Sequence, residues 1–237
     1  LASARREASG EGWMLSLACG REEQQVAARA LVNAAGPWVK AVLENNIGLA
    51  SPGGLRLVRG SHIVVPRVHE RSHAFILQNP DRRIVFMIPY EREFTLIGTT
   101  DAPVASADEN AWAHPRASAA EIDYLCTAAS RYSAAPVTPE QVVWSYSGVR
   151  ALYDDGSANP SAVTRDYHLL LDAGQGRRGQ APLLSVFGGK ITTYRRLAEE
   201  ALARLAPWFP ETRPWTHAEP LPGGDFQDFS ALLAELQ

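Results

Sequence analysis

Five short segments carry polar side chains at the ends of apolar runs. They are Ser61-His62 in RGSHIVVP, Thr99-Thr100-Asp101 in IGTTD, Arg150 in SYSGVR, Thr164-Arg165-Asp166 in TRDY and Gly188-Gly189-Lys190 in FGGK. Two arginines and a lysine at strand ends suit an anionic ligand, most simply a phosphate, whose oxygens pair with a guanidinium fork or an ammonium. Each segment alone also fits a strand-edge charge facing water; the five together point to a site. The stretch SVFGGKITTYRRLAEEAL concentrates this chemistry. Gly188 and Gly189 let backbone N–H groups approach a ligand with no Cβ in the way. Those groups precede a helix, whose N-terminal dipole favours negative charge, and Lys190 adds a full positive charge.

Two familiar phosphate motifs are excluded. A P-loop needs an earlier glycine and a hydroxyl after the lysine. Here Leu184, Ser185 and Val186 stand where that glycine belongs, and Ile191 follows Lys190. Residues 174–179, GQGRRG, match G-x-G-x-x-G letter for letter, but Pro182 and the strand-like LLSVF follow where the dinucleotide motif needs a helix. That stretch reads as a hairpin loop with solvated arginines.

The elements that must position these residues are legible from periodicity. WMLSLACG and QVAARALVNAAG predict strands, the second ending in small residues where backbone can approach a ligand. PWVKAVLENNIG predicts a short helix closed by Gly48. From about Leu55 to Thr100, LRLVRGSHIVVP, HAFILQN, RIVFMIPYE and EFTLIGTTD predict an antiparallel sheet, the last two as a hairpin, joined by residues 145–152. EIDYLCTAASRY predicts a helix with Ile122, Leu125 and Cys126 on one face. DYHLLLDA and PLLSVFGG predict a second hairpin. A last helix carries Tyr194, Leu197, Ala198, Ala201, Leu202 and Leu205 at helical spacing, and after Pro207 the chain reads as irregular.

Composition narrows the classes. The 237 residues are 46% hydrophobic and 21% charged, as in globular domains. A net charge of -3 offers no basic footprint for nucleic acid. No apolar run is long enough for a membrane helix. Cys19 and Cys126 make no disulfide framework and read as small buried or half-buried side chains. The six histidines lack zinc spacing, so no metal is expected. The chain starts without methionine in a polar stretch, which reads as a point inside a domain.

RGSHIVVPR, IGTTD, WSYSGVRAL, TRDY and SVFGGKITTYRRLAE, in this order, resemble the FAD-dependent glycerol-3-phosphate dehydrogenases. The resemblance runs from about Ala27 to Gly224; NAAGPWV alone resembles the wider glycine-oxidase-like flavoproteins. It implies a mixed α+β and α/β fold, an antiparallel substrate sheet beside part of a Rossmann-like FAD domain. Residues 1–50 and 151–206 would belong to the FAD domain, 51–150 to the substrate domain and 207–237 to a linker toward a further domain. The family's N-terminal G-x-G-x-x-G unit is not in this sequence, so the chain reads as the middle of a longer enzyme, expected to purify without stoichiometric FAD.

The implied reaction oxidises sn-glycerol 3-phosphate to dihydroxyacetone phosphate, with FAD as cofactor and a quinone as the electron acceptor. The resemblance places Arg150 and Lys190 at the substrate, with Thr100 and Arg165 as further substrate contacts. A guanidinium keeps its proton, so Arg150 is assigned to stabilise the C2 oxygen. His62 titrates in the right range for the proton acceptor. Ala34, Ala35 and Gly36 would line the cofactor from one side. Gly188, Gly189, Lys190 and Thr192 would face the flavin pyrimidine, where the reduced ring carries negative charge. Two other readings stay open: a related flavoprotein oxidising an amine or amino acid, and a non-catalytic phosphate-binding module. The implied compartment is the cytoplasm or, as a peripheral protein, the inner face of the cell membrane.

Overall fold

The computed structural model describes residues 1–51, 53–105, 112–154, 166–173, 180–209 and 214–236. Thr164, Arg165 and the loop at 174–179 lie outside these residues. The described residues form three sheets.

The first sheet is a meander of β1 (Ser3–Arg6), β2 (Trp13–Cys19) and β3 (Glu22–Ala28), all antiparallel. β1 arises within the polar start that periodicity left unassigned, because alternate residues face the core: Ala4 is buried while Ser3 and Arg5 are exposed. Cys126 is buried as expected, but Cys19 is exposed where β2 turns into β3.

A second sheet has the order β11-β12-β4, from β11 (His168–Asp172), β12 (Leu183–Phe187) and β4 (Leu31–Asn33). β12 is antiparallel to β11, as the predicted hairpin requires, and parallel to β4. All five residues of β12 are buried, the pattern of a strand covered on both faces. On one side lie Trp13, Val39 and Leu43; Trp13 Nε1 donates to the carbonyls of Ala181 (3.2 Å) and Pro182 (3.1 Å). On the other, Leu197, Ala201 and Leu205 of α3 (Tyr194–Leu205) pack on Leu184 and Val186. The predicted helix after NAAG is a 3₁₀ turn (Gly36–Trp38), a short piece α1 (Val39–Ala41) and a π turn (Val42–Ile47), closed by Gly48 at φ 77°.

The third sheet holds the candidate site. Its order is β10-β5-β8-β7-β6, from β5 (Gly54–Pro66), β6 (Phe75–Gln78), β7 (Ile84–Tyr90), β8 (Phe94–Gly98) and β10 (Trp144–Asp154), with β9 (Ala102–Val104) also on β5. Every pairing is antiparallel. One face is covered by α2 (Ala119–Ser130), which buries Leu125, Cys126 and Ala129 against Ile63, Val65, Val85, Met87 and Ile97. Beyond Pro207 the described residues are irregular until a short helix, α4 (Phe229–Leu236), that the sequence reading missed. No helix among the described residues is long and apolar enough to cross a membrane.

Candidate active site

The face of the third sheet away from α2 is open. Antiparallel register sets Ile76, Phe86, Gly98, His62 and Tyr146 in a row across five strands. Directly paired residues share a face, so all five point away from the α2 core. The His62 ring lies flat against Tyr146, with centroids 4.8 Å apart and planes within 5°. It crosses the backbone of β8, where a Cβ on Gly98 would stand 2.0 Å from His62 Cδ2. Gly98→Ala is therefore expected to push the imidazole off Tyr146. Displacing a reacting group by about 1 Å costs on the order of a hundredfold in turnover. Steady-state rates of the flavin-loaded protein, with circular dichroism as the check on folding, test this; unchanged turnover would remove His62 from the site.

Arg150 lies on the same face of β10, opposite Val58 and beyond Gly148 from Tyr146. Its guanidinium folds back over Gly60, where a Cβ would stand 2.8 Å from one terminal nitrogen. It donates to Asp101 Oδ1 at 2.7 Å and to Thr99 Oγ1 at 3.2 Å. Burial, and then the positive charge of Arg150, hold the His62 imidazole below its ordinary value near 6.5. His62 is thus neutral at neutral pH and able to accept a proton. Removing the cation relieves part of that depression. The acid limb of the kcat/KM profile should then move to higher pH in Arg150→Ala than in the wild type; a limb that stays fixed or moves lower would show that His62 does not govern it.

The two glycine-bearing loops meet this face from the second sheet. β4 and β12 run parallel with Ser185 opposite Asn33, so NAAG and FGGK leave from the same C-terminal edge. Crevices at that edge of parallel strands are where α/β folds bind ligands. The buried Asn33 fixes its loop by donating to the Val39 carbonyl at 2.9 Å and accepting from Ala35 N at 3.4 Å. Gly36 has φ 56°, and among the described residues no atom lies within 4 Å of where its Cβ would be. Gly188 and Gly189 have φ of 75° and 103°, backbone that a side chain would strain. A Cβ on Gly188 would stand 3.1 Å from the Asp166 carbonyl and 3.3 Å from that of Ala151, the residue after Arg150. Lys190 and Thr192 are exposed, and a 3₁₀ turn (Ile191–Thr193) intervenes before α3. The glycines of both loops thus present backbone with no Cβ at this edge, the feature that close approach of a ligand needs.

Comparison with known proteins bears on what these loops serve. Residues 2–195 match the family described as FAD dependent oxidoreductase (DAO). The chain belongs to this FAD-dependent oxidoreductase family. A glycerol-3-phosphate dehydrogenase of Pseudomonas tolaasii is 50% identical over 201 residues, covering 84% of this chain and 38% of that protein. A D-erythritol 1-phosphate dehydrogenase of Brucella abortus is 45% identical over 241 residues, covering 98% of this chain and 46% of that protein. The structure of a glycerol-3-phosphate dehydrogenase from Bacillus halodurans complexed with FAD superposes with a TM-score of 0.73 at 26% identity, over 97% of this chain and 43% of that one. The chain thus spans less than half the length of these relatives, and its mixed α/β architecture with antiparallel sheets is that of the FAD-dependent oxidoreductase fold.

On the covered face of this oxidoreductase sheet the structure corrects one expected contact. Thr100 was expected at the substrate, yet it is 2% exposed and turned under the sheet. Its hydroxyl donates to Glu121 Oε1 at 2.8 Å and accepts from Ser61 N at 2.9 Å, so its bonding capacity is spent inside the protein. Glu121 is the hub. It occupies the N3 position of a capping box on α2 and receives bonds from the Ser118 backbone (3.0 Å) and hydroxyl (2.8 Å), and from the Ser61 hydroxyl (2.8 Å). It also pairs with Arg59 at 2.7 Å. Burial pushes its carboxyl up, but the bonds from Ser118, Thr100 and Ser61 outweigh this and hold it at about 2. The Ser61 hydroxyl also meets that of Ser147 at 2.8 Å, which ties β10 into the same network.

Of the residues singled out in the sequence, His62 and Arg150 share one face, and the loop of Gly188, Gly189 and Lys190 approaches β10 through Gly188 at Ala151, next to Arg150. Ala34, Ala35 and Gly36 lie on the neighbouring parallel strand's loop. Arg165 is outside the described residues. Sequence reasoning missed Tyr146, which only the β5–β10 register brings to His62, and Glu121, whose signal was the S-x-x-E spacing Ser118 to Glu121.

Proposed function

We propose that this chain is the substrate-facing and flavin-facing part of an enzyme that oxidises sn-glycerol 3-phosphate at C2 to dihydroxyacetone phosphate and passes the electrons to a quinone. The observation that carries the reading is the shared open face of His62 and Arg150, abutting the FGGK loop at Ala151. The identity to relatives named for phosphate esters supports it over amine or amino-acid oxidation. In this reading residues 51–150 bear the substrate, and residues 1–50 and 151–206 the cofactor side.

The reaction breaks the C2–H and O–H bonds and forms a C=O bond. FAD, when bound, would supply the two-electron acceptor for the hydride leaving C2. Ala34, Ala35, Gly36, Gly188, Gly189, Lys190 and Thr192 would hold it. The hydroxyl proton goes to His62, which burial and Arg150 keep neutral. Arg150 stabilises the negative charge growing on the C2 oxygen, held in place by Asp101 and Thr99. Arg165 is the further candidate for a phosphate contact and lies outside the described residues. Tyr146 fixes the imidazole plane.

A second reading, a four-carbon polyol phosphate as the natural substrate, is favoured by the Brucella abortus relative, which covers nearly the whole chain. Both are tested by incubating the flavin-loaded enzyme with each phosphate and a soluble quinone, following flavin bleaching and the carbonyl product. Bleaching by neither sinks the reading, and peroxide in place of reduced quinone would assign oxygen as the acceptor. Sedimentation with and without vesicles checks for peripheral membrane contact.

A further inference from the structure

We propose that Thr100 and Glu121, buried on the covered side of the third sheet, are positioning residues that fix where the Arg150 guanidinium points on the open side, an inference that rests on the part given to Arg150 above. The three residues that link β8 to β9 alternate in the face they serve. Thr99 and Asp101 hold the guanidinium at 3.2 Å and 2.7 Å on the open side, while Thr100 between them turns under. The guanidinium and the Thr99 hydroxyl both lie over Gly60, since a Cβ there would stand 2.8 Å from one terminal nitrogen and 2.6 Å from that oxygen. Gly60 and His62 are alternate residues on one face of β5, about 6.6 Å apart along the strand, so this placement brings the cation beside the base.

The contacts on the open side do not fix that placement by themselves. The Arg150 and Asp101 side chains are each 42% exposed, and an exposed ion pair contributes little. Its geometry is as firm as the backbone that carries Thr99 and Asp101, and that backbone is fastened from below. Thr100 N donates to the Ser61 carbonyl at 3.3 Å; the Thr100 hydroxyl accepts from Ser61 N at 2.9 Å and donates to Glu121 Oε1 at 2.8 Å. Glu121 divides its two oxygens. Oε2 receives the Ser118 backbone (3.0 Å), the Ser118 hydroxyl (2.8 Å) and Arg59 (2.7 Å), which caps α2. Oε1 receives the hydroxyls of Thr100 and Ser61, at 2.8 Å each. The helix cap is complete with the first oxygen; the second reaches the link that carries the partners of Arg150.

The test is a double-mutant cycle on the flavin-loaded enzyme with sn-glycerol 3-phosphate. kcat/KM is measured below each variant's Tm for Thr100→Val, Thr100→Ser and Glu121→Gln, each in the wild-type and the Arg150→Ala background, and the crystal structure of Thr100→Val is solved. Thr100→Val keeps the shape and loses the hydroxyl. It should lower kcat/KM by about ten- to hundredfold, the range for a group at the reacting centre displaced by up to about 1 Å. In the Arg150→Ala background the same change should cost less than about twofold, because residues that act through one group are not additive. Glu121→Gln should show the same non-additivity, and Thr100→Ser should keep most of the wild-type rate. The crystal structure should show the guanidinium displaced from Asp101. Equal losses in both backgrounds, or an unmoved guanidinium in Thr100→Val, overturn the inference and leave the functional reading intact, since the two residues would then only hold helix to sheet. A wild type inactive on the phosphate, or an Arg150→Ala enzyme as active as the wild type, removes the part given to Arg150 and this inference with it.

Discussion

Replacing Arg150 by alanine in the flavin-loaded enzyme should lower kcat/KM for sn-glycerol 3-phosphate by roughly thirty- to thousandfold, the equivalent of about 2–4 kcal/mol of transition-state stabilisation. The guanidinium is held at 2.7 Å by Asp101 and at 3.2 Å by Thr99, so it is oriented before substrate arrives and little reorganisation is left to the reaction. Arg150→Lys keeps the charge but loses the planar fork that spans both partners, and should recover only part of the loss. The pair with Asp101 is exposed on both sides, so its contribution to folding is small, within about 1 kcal/mol. An Arg150→Ala protein with near-normal Tm and near-normal kcat/KM would remove the arginine from catalysis.

The largest effect on stability is expected at Glu121. Its side chain is 9% exposed and serves Ser61, Thr100, Ser118 and Arg59 at once. Glu121→Ala strips a mostly buried, ionised hub from beside the half-buried Arg59 and should cost about 3–5 kcal/mol. For a domain of this size that is roughly a 6–20 °C fall in Tm. Ser118→Ala, which removes one cap, should cost about 1 kcal/mol. The carboxyl is depressed in the fold from about 4.5 to about 2. Its contribution is therefore fully present above pH 4.5 and drains away as pH falls toward 2. Denaturant titrations at pH 7 and pH 3 should show the gap between wild type and Glu121→Ala narrowing at the lower pH. A constant gap would mean that packing, not charge, makes the residue matter.

The sheet that carries the site was legible because its strands alternate cleanly and are bounded by turn residues. The RIVFMIPYE and EFTLIGTTD hairpin and the return of residues 145–152 to β5 follow that signal. Thr100 was misjudged for a local reason. β8 ends at Gly98, and beyond it alternation no longer holds: Thr99 faces Arg150 while Thr100 turns under toward Glu121. Glu121 was not singled out, because its burial depends on how α2 docks on β5. The partnership of His62 with Tyr146 depends on strand register, which no local window of sequence contains. The α4 helix escaped because its eight residues follow a proline- and glycine-rich stretch that hid its short apolar repeat.

β10 is paired with β5 along all eleven of its residues, from Trp144 opposite Val64 to Asp154 opposite Gly54, and it meets the FGGK loop one residue past Arg150. Such a strand behaves toward evolutionary change like a ruler with a printed scale. Substitutions leave the markings where they are. Gaining or losing a single residue between Tyr146 and Arg150 would turn the guanidinium to the face that α2 covers and drop an aliphatic neighbour into its place. Descendants of this fold can thus vary the exposed side chains of this strand far more freely than they can vary the count of residues along it. New substrates should be reached through point changes on this strand, and length variation should be confined to the connections outside it.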